Sequence, residues 1–143
     1  MNELQIKKDL VIKTLEDFKM IDLFEIDNIE NGNTTVFKSI QNLEQSQGII
    51  FLAINETVYS TATIYFATLK DVAKKEKILN LMNDLNIEYK GSKYFINNGN
   101  EIGVQIEYIA DARSFNAELF INVFKTKINR LLESHYSEFM KII

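Results

Sequence analysis

Residues 77–108, KILNLMNDLNIEYKGSKYFINNGNEIGVQIEY, constrain the fold more than any other stretch of the chain. Ile78, Leu81, Met82 and Leu85 fall at i, i+3, i+4 and i+7, one stripe of a helix. Asn80, Asn83 and Asn86 recur every third residue, and Asn86 stands where the stripe ends. Asn tolerates the left-handed conformation that a helix C-cap needs. Two runs of period two follow, residues 93–96 and 102–108, joined by Asn97-Asn98-Gly99-Asn100. Asn-Gly between such runs is the strongest short-range hairpin signal. The segment predicts a helix, a stop and a hairpin, and nothing in it is arranged for chemistry.

There is no proline, no low-complexity linker and no internal repeat, so residues 1–143 predict one domain. Residues 3–19 read as a first helix, with Leu4, Val11, Leu15 and Phe18 on one face and Lys7, Lys8, Lys13 and Glu16 turned to water. Residues 22–29 allow a short extra strand, closed by a turn at Asn31-Gly32. Residues 34–40 are a strand rich in β-branched and aromatic side chains, and residues 41–47 a polar loop. Residues 48–54, GIIFLAI, are apolar without alternation, which predicts a central strand with both faces covered. Asn55-Glu56 make a tight turn. Residues 58–68 then form a long strand, with Tyr59, Thr61, Thr63 and Tyr65 on one face and Val58, Ala62, Ile64 and Phe66 largely on the other.

Helix two is expected from the N-cap Asp71 to Leu85. Helix three opens at Asn116, with Glu118 in its first turn and Phe115 against Phe120 as a hydrophobic staple. Its stripe is Phe120, Phe124, Ile128, Leu131, His135 and Phe139, with Val123 and Leu132 alongside. The order is α–β–β–β–α–β–β–α, with room for one extra strand at the start. Strands that are grouped, rather than alternating with helices, predict an α+β fold with a mostly antiparallel sheet packed with helices.

Charge and composition exclude several functions. The net charge is −4, and residues 1–30 carry eight acids against four lysines, while the remainder carries twelve of each. Asp22, Glu25, Asp27 and Glu30 form a patch without a base, read here as a solvated strand edge kept from aggregating by its acids. Phosphate binding needs a cationic face, and only Arg113 and Arg130 supply guanidinium, so no nucleic-acid partner is expected. Lys70, Lys74, Lys75 and Lys77 are interleaved with Asp71 and Glu76, a solvated helix face. No apolar run approaches a membrane span, and the first residues lack the apolar core of a signal peptide, so a cytoplasmic protein without a membrane partner is expected.

Catalytic constellations are missing as well. There is no cysteine, and therefore neither a disulfide framework nor thiol chemistry. His135 is the single histidine, on the stripe of helix three near its negative end, where it reads as a packed helix residue rather than a ligand or a base. Ser114 and Ser134 lack a base to activate them. No Asp/Glu cluster has metal-ligand spacing. Gly91-Ser92-Lys93 resembles the tail of a phosphate loop but lacks the upstream glycine and enters a strand. No catalytic residue, cofactor or metal site is expected. What remains is aromatic: Tyr89, Tyr94, Phe95 and Tyr108 flank the hairpin, and Tyr59 and Tyr65 lie on the long strand. Tyrosines on a sheet face are used by core packing and by peptide-binding or dimer surfaces alike.

LNLMNDLN, the short link to KYFINNGNEIGVQIEY, and the closing helix opened by FNAELF resemble the YbjN-like family, whose fold is similar to that of the chaperones of type III secretion systems. The resemblance covers about the last seventy residues; the first half agrees in the order of its elements and departs in its loop at 41–47 and its acidic segment at 22–30. It implies a non-enzymatic, protein-binding module, chaperone- or regulator-like, that holds a segment of a partner protein and forms a homodimer. Helix two and the strand at 58–68 are the expected pairing surface, and Tyr59, Tyr65, Met82, Tyr89 and Tyr94 the expected partner-binding residues. The alternative is a small inhibitor or accessory protein of phage or mobile-element origin that occludes an enzyme through its acidic surface.

Overall fold

The computed structural model describes residues 2–29 and 31–143. Helix α1 (Glu3–Asp17) starts at Asn2, whose Oδ1 accepts a hydrogen bond from the Gln5 N–H at 2.8 Å. A short 3-10 turn (Ile21–Leu23) leads into β1 (Glu25–Ile29), the extra strand. Then follow β2 (Thr34–Asn42), β3 (Gln47–Asn55) and β4 (Tyr59–Thr68). Asp71 caps a 3-10 turn (Val72–Lys74) by accepting from the Ala73 N–H, and α2 (Lys75–Glu88) follows directly. The hairpin is β5 (Lys93–Ile96) and β6 (Glu101–Ile109). The chain closes with α3 (Ala117–Arg130), a π-helical turn (Leu131–His135) and α4 (Tyr136–Ile142). At the start of α3 the expected staple is present: Asn116 Oδ1 accepts from the Leu119 N–H, and the Phe115 and Phe120 rings lie 6.0 Å apart.

The six strands form one antiparallel sheet in the order β1-β2-β3-β4-β6-β5. The architecture is the α+β fold expected from the grouping of strands. Side chains alternate across a strand, and the register sends Phe37, Ile50, Leu52, Ile54, Ala62, Ile64, Val104 and Ile106 to one face, where all are buried. Leu4, Val11 and Leu15 of α1, Phe120 and Phe124 of α3, and Phe139 of α4 pack with them in a single core. Phe66 is the aromatic centre of the far half, edge-on to Tyr94, Tyr136 and Phe139.

Four expectations need correction. The strand at 48–54 is central, but only one of its faces is covered by helices. Ile50, Leu52 and Ile54 are buried, whereas Ile49, Phe51 and Ala53 are half-buried on the opposite face, shielded by neighbouring strands and not by a second layer. The polar loop at 41–47 is a tight turn, because β2 and β3 pair as far as Asn42 and Gln47. Its tip is pinned to α4: the Gln45 N–H donates to the Tyr136 hydroxyl at 2.9 Å, and Ser46 Oγ lies 2.7 Å from it. Lys7 is not turned to water but fully buried, donating to the carbonyls of Asn55 and Thr57 at the β3–β4 turn.

Asn86 is the fourth. The helix runs past it to Glu88, and the left-handed residue is Gly91 (φ 86°) in the link to β5. The Asn86 side chain instead imitates a peptide group beside β5: its Oδ1 accepts from the Tyr94 N–H at 2.7 Å and its Nδ2 donates to the Tyr94 carbonyl at 3.0 Å. The β5 edge of the sheet is thereby closed at Tyr94. Asn86→Ala strands both backbone groups and is expected to cost about 1–3 kcal/mol in urea unfolding. A loss below about 0.5 kcal/mol, the range of an ordinary surface substitution, would show that the edge is satisfied without Asn86.

Candidate functional site

The uncovered face of the sheet carries a row of side chains running across the strands. Lys38 of β2 holds its Nζ 5.9 Å over the ring of Phe51 in β3. Phe51 meets Tyr65 of β4 edge-on at 6.0 Å, and Tyr65 meets Phe95 of β5 edge-on at 5.6 Å. Between β4 and β5 lies β6, which contributes Gly103 at this level. A Cβ there would sit 3.1 Å from the Tyr65 ring, the Phe95 ring and the Ile64 carbonyl oxygen, so the two rings meet because residue 103 has no side chain. Thr63 and Gln105 support the row with a cross-strand hydrogen bond of 2.9 Å.

Two shallow hollows adjoin along this face. One, of about 440 Å³, is lined by Val36, Lys38, Ile49, Phe51, Ala53, Thr63 and Tyr65, and reaches Asn97 and Glu101 at the hairpin turn. The other, of about 550 Å³, shares Val36, Lys38 and Phe51 and is bounded by Glu25, Ile26, Asp27 and Ile29 of β1. Together they make one trough from the β1 edge to the β5–β6 turn. On the helix side, an apolar cavity of about 170 Å³ opens between α1, α3 and the sheet, lined by Leu15, Ile50, Leu52, Ile121, Phe124 and Ile128, with Gln41, Lys125 and Asn129 among its polar groups.

The two sheet edges differ. On β5 the N–H and C=O of Tyr94 are taken by Asn86. β1 pairs with β2 on one side only, and all five of its residues are exposed. An unpaired strand presents N–H and C=O groups able to hydrogen-bond another chain. Glu25 and Asp27 of the expected acidic patch lie on this edge and Asp22 in the turn before it; Glu30 lies outside the described residues. Neither Glu25 nor Asp27 forms an ion pair among the described residues.

The five sequence-predicted residues do not come together. Tyr65 sits at the centre of the aromatic row. Tyr59, 51% exposed, lies further along β4 on the same face, opposite the exposed Ile109. Met82 and Tyr94, 3% and 5% exposed, belong to the core, where Tyr94 packs against Phe66 and Phe139. Tyr89 is half-buried beneath Arg130, whose guanidinium lies 4.9 Å from its ring centre. Helix two and the long strand do not form one surface. α2 flanks β5 with Ile78, Met82 and Leu85 in the helix-side core, while Tyr59 and Tyr65 look out from the other face. Sequence reasoning missed Phe51, Lys38 and Phe95 as members of the open face. The sequence carries half of the signal: a glycine inside a strand, Gly103, marks a close approach over the backbone, while the two aromatics that meet there are set beside it only by the strand register.

His135 is buried at the end of the π-helical turn, its Nδ1 2.6 Å from the Tyr94 hydroxyl and its ring 4.7 Å from that of Tyr89. Burial holds its pKa below the usual 6.5; Arg130 adds to the effect, while Glu138 and Glu88 oppose it. Burial likewise pushes the Tyr94 phenol up. The folded state keeps the imidazole neutral while the unfolded chain protonates it below pH 6.5, so this contribution is complete above pH 6.5 and is lost as pH falls through the folded value. The melting temperature of the wild type is expected to fall more between pH 7.5 and 5.5 than that of His135→Gln. Equal falls would show that the ring is protonated as readily in the core as in water. Among the described residues no group of three or more His, Cys, Asp or Glu side chains could hold a metal ion, and no helix is long and apolar enough to cross a membrane.

No family model matches the chain, and no curated protein matches it. Among solved structures it is similar to the Yersinia pestis type III secretion chaperone SycH, determined in complex with a stable fragment of YscM2. The similarity spans 87% of this chain and 95% of that chain, at 14% sequence identity and a TM-score of 0.48.

Proposed function

We propose that this chain is a non-enzymatic protein-binding module, chaperone- or regulator-like, that holds an extended segment of a partner protein along the free edge of β1. The observation that carries the proposal is the asymmetry of the sheet edges. Asn86 occupies the N–H and C=O of Tyr94 at the middle of β5, whereas β1 is exposed throughout and borders a trough with apolar and aromatic walls. A segment laid on such an edge gains main-chain hydrogen bonds, and pockets for its alternate side chains give selectivity. Membership of the YbjN-like family, on the helix–hairpin pattern of residues 79–108, and a cytoplasmic location belong to the same proposal.

Homodimerisation is its second part. Phe51, Tyr65, Phe95 and the more exposed Tyr59 give the open face the aromatic content of a pairing surface. Light scattering at micromolar concentration tests this. A mass of 16.6 kDa, unchanged on tenfold concentration, would leave the chain a monomer. The binding function is tested by selecting extended peptides from a random library against the folded protein and following amide exchange in the complexes. Selected peptides are expected to slow exchange in β1. Peptides that bind while leaving β1 exchange unaltered would overturn the proposal.

A further inference from the structure

We infer that the free edge of β1 is built to take a cationic strand of a partner protein and to refuse a second copy of this chain; the inference rests on the β1-edge function proposed above and names the partner's chemistry. Glu25 and Asp27 are two residues apart in a strand, so both carboxylates stand on the same face, that of the trough. The base nearest in register is Lys38, opposite Glu25, and its ammonium is held over the Phe51 ring. Among the described residues, Glu25 and Asp27 therefore form no ion pair. Ile26, between them, points to the opposite face and is 40% exposed.

A strand added antiparallel to β1 places its side chains directly across from these three. Opposite charges in such positions stabilise the pairing and like charges oppose it. The complementary segment thus carries Lys or Arg at two alternate positions and an apolar residue between them. The same register disfavours self-pairing. A two-fold antiparallel pair of β1 strands that matches all five residues centres on Asp27 and sets it against its own counterpart. Centring on Ile26 instead sets Glu25 against Asp27 twice. Acids on an exposed edge are a recognised device against edge-to-edge association, and here they select by sign of charge as well.

The test uses capped peptides of about nine residues, long enough to span β1. One alternates Val with Lys, one alternates Val with Glu, and one has the composition of the first with its lysines consecutive. Binding is read by fluorescence anisotropy, and strand addition by amide exchange in β1. The alternating Lys peptide is expected to bind and to protect β1 amides, with the Glu peptide weaker by about tenfold. Glu25→Lys/Asp27→Lys is expected to reverse that order, and the milder Glu25→Gln/Asp27→Asn to abolish the preference while keeping the wild-type melting temperature. Equal binding of the Lys and Glu peptides, with β1 protected by both, would overturn the charge assignment and leave the edge function standing. Equal binding of the consecutive-lysine peptide would reduce the effect to bulk charge and overturn it too. If neither alternating peptide protects β1, the inference and the edge function fall together. Protection of β1 that grows with protein concentration in the absence of peptide would assign the edge to a second copy.

Discussion

Ile50→Asp is expected to abolish cooperative folding, while Phe51→Asp, one residue along the same strand, is expected to give a soluble protein with a single thermal transition. Ile50 is 5% exposed and faces α1 and α3 in the core. A carboxylate there is taken from water into surroundings dominated by Leu15, Leu52, Ile121 and Phe124 and costs roughly 3–5 kcal/mol. That is a large part of the 5–15 kcal/mol, roughly, by which a domain of this size is stable. Phe51 stands on the uncovered face, touching Tyr65 edge-on and lying under Lys38. Its replacement forfeits those contacts and leaves the new carboxylate beside water and an ammonium, for a loss of about 1–3 kcal/mol. Urea unfolding of the two variants decides the matter. Collapse of both would mean that the aromatic face is covered in solution, which a second copy lying on it would explain.

That pair of neighbours also marks where the sequence was legible and where it was not. Local signals read correctly: the staple of Phe115 and Phe120 around the Asn116 cap, the hairpin at residues 97–100 and the α+β grouping all appear in the structure, while Asp71 caps the 3-10 turn that precedes α2 and not α2 itself. The face shared by Tyr59, Thr61, Thr63 and Tyr65 was also read from alternation alone, since a strand has only two faces. The apolar run at 48–54 misled, because an uninterrupted run has two causes. One is burial on both sides. The other is a strand whose outer face contributes to an aromatic surface, and only the register with Tyr65 and Gly103 separates them. Asn86 was recognised as a residue with a task, but the task depends on Tyr94 lying beside it across the link. The candidate surface is less legible still. The partners of Phe51 come from other strands, and a free β1 edge is defined by what pairs with it, not by its own composition.

Lys7 escaped sequence reasoning for a similar reason, and its replacement carries the second large effect. On a helical wheel it borders the apolar face of α1, where lysine ordinarily reaches water. Here its side chain is wholly enclosed, its Nζ donating to the Asn55 carbonyl at 3.3 Å and to that of Thr57, and standing 5.7 Å over the Phe115 ring. One side chain thus ties α1, the β3–β4 turn and the entry to α3. Lys7→Ala empties that space and is expected to cost about 2–4 kcal/mol. Lys7→Met keeps the volume and is expected to cost about 1–2 kcal/mol, since the two carbonyls lie near the surface and can take water. The pair also has a signature in pH. Burial lowers the Lys7 pKa from 10.5, with Glu3 and Asp111 opposing the shift. Below the folded value both states hold the proton and the contribution is constant. Between the folded value and 10.5 only the unfolded chain holds it, so stability gained from this group rises with pH and levels off above 10.5. The unfolding free energy of the wild type minus that of Lys7→Met is therefore expected to climb through that alkaline window, a difference in which the other titrating groups largely cancel. A difference that falls instead would show that the folded protein binds the Lys7 proton more tightly than water does, with Glu3 and Asp111 outweighing the cost of enclosing the charge.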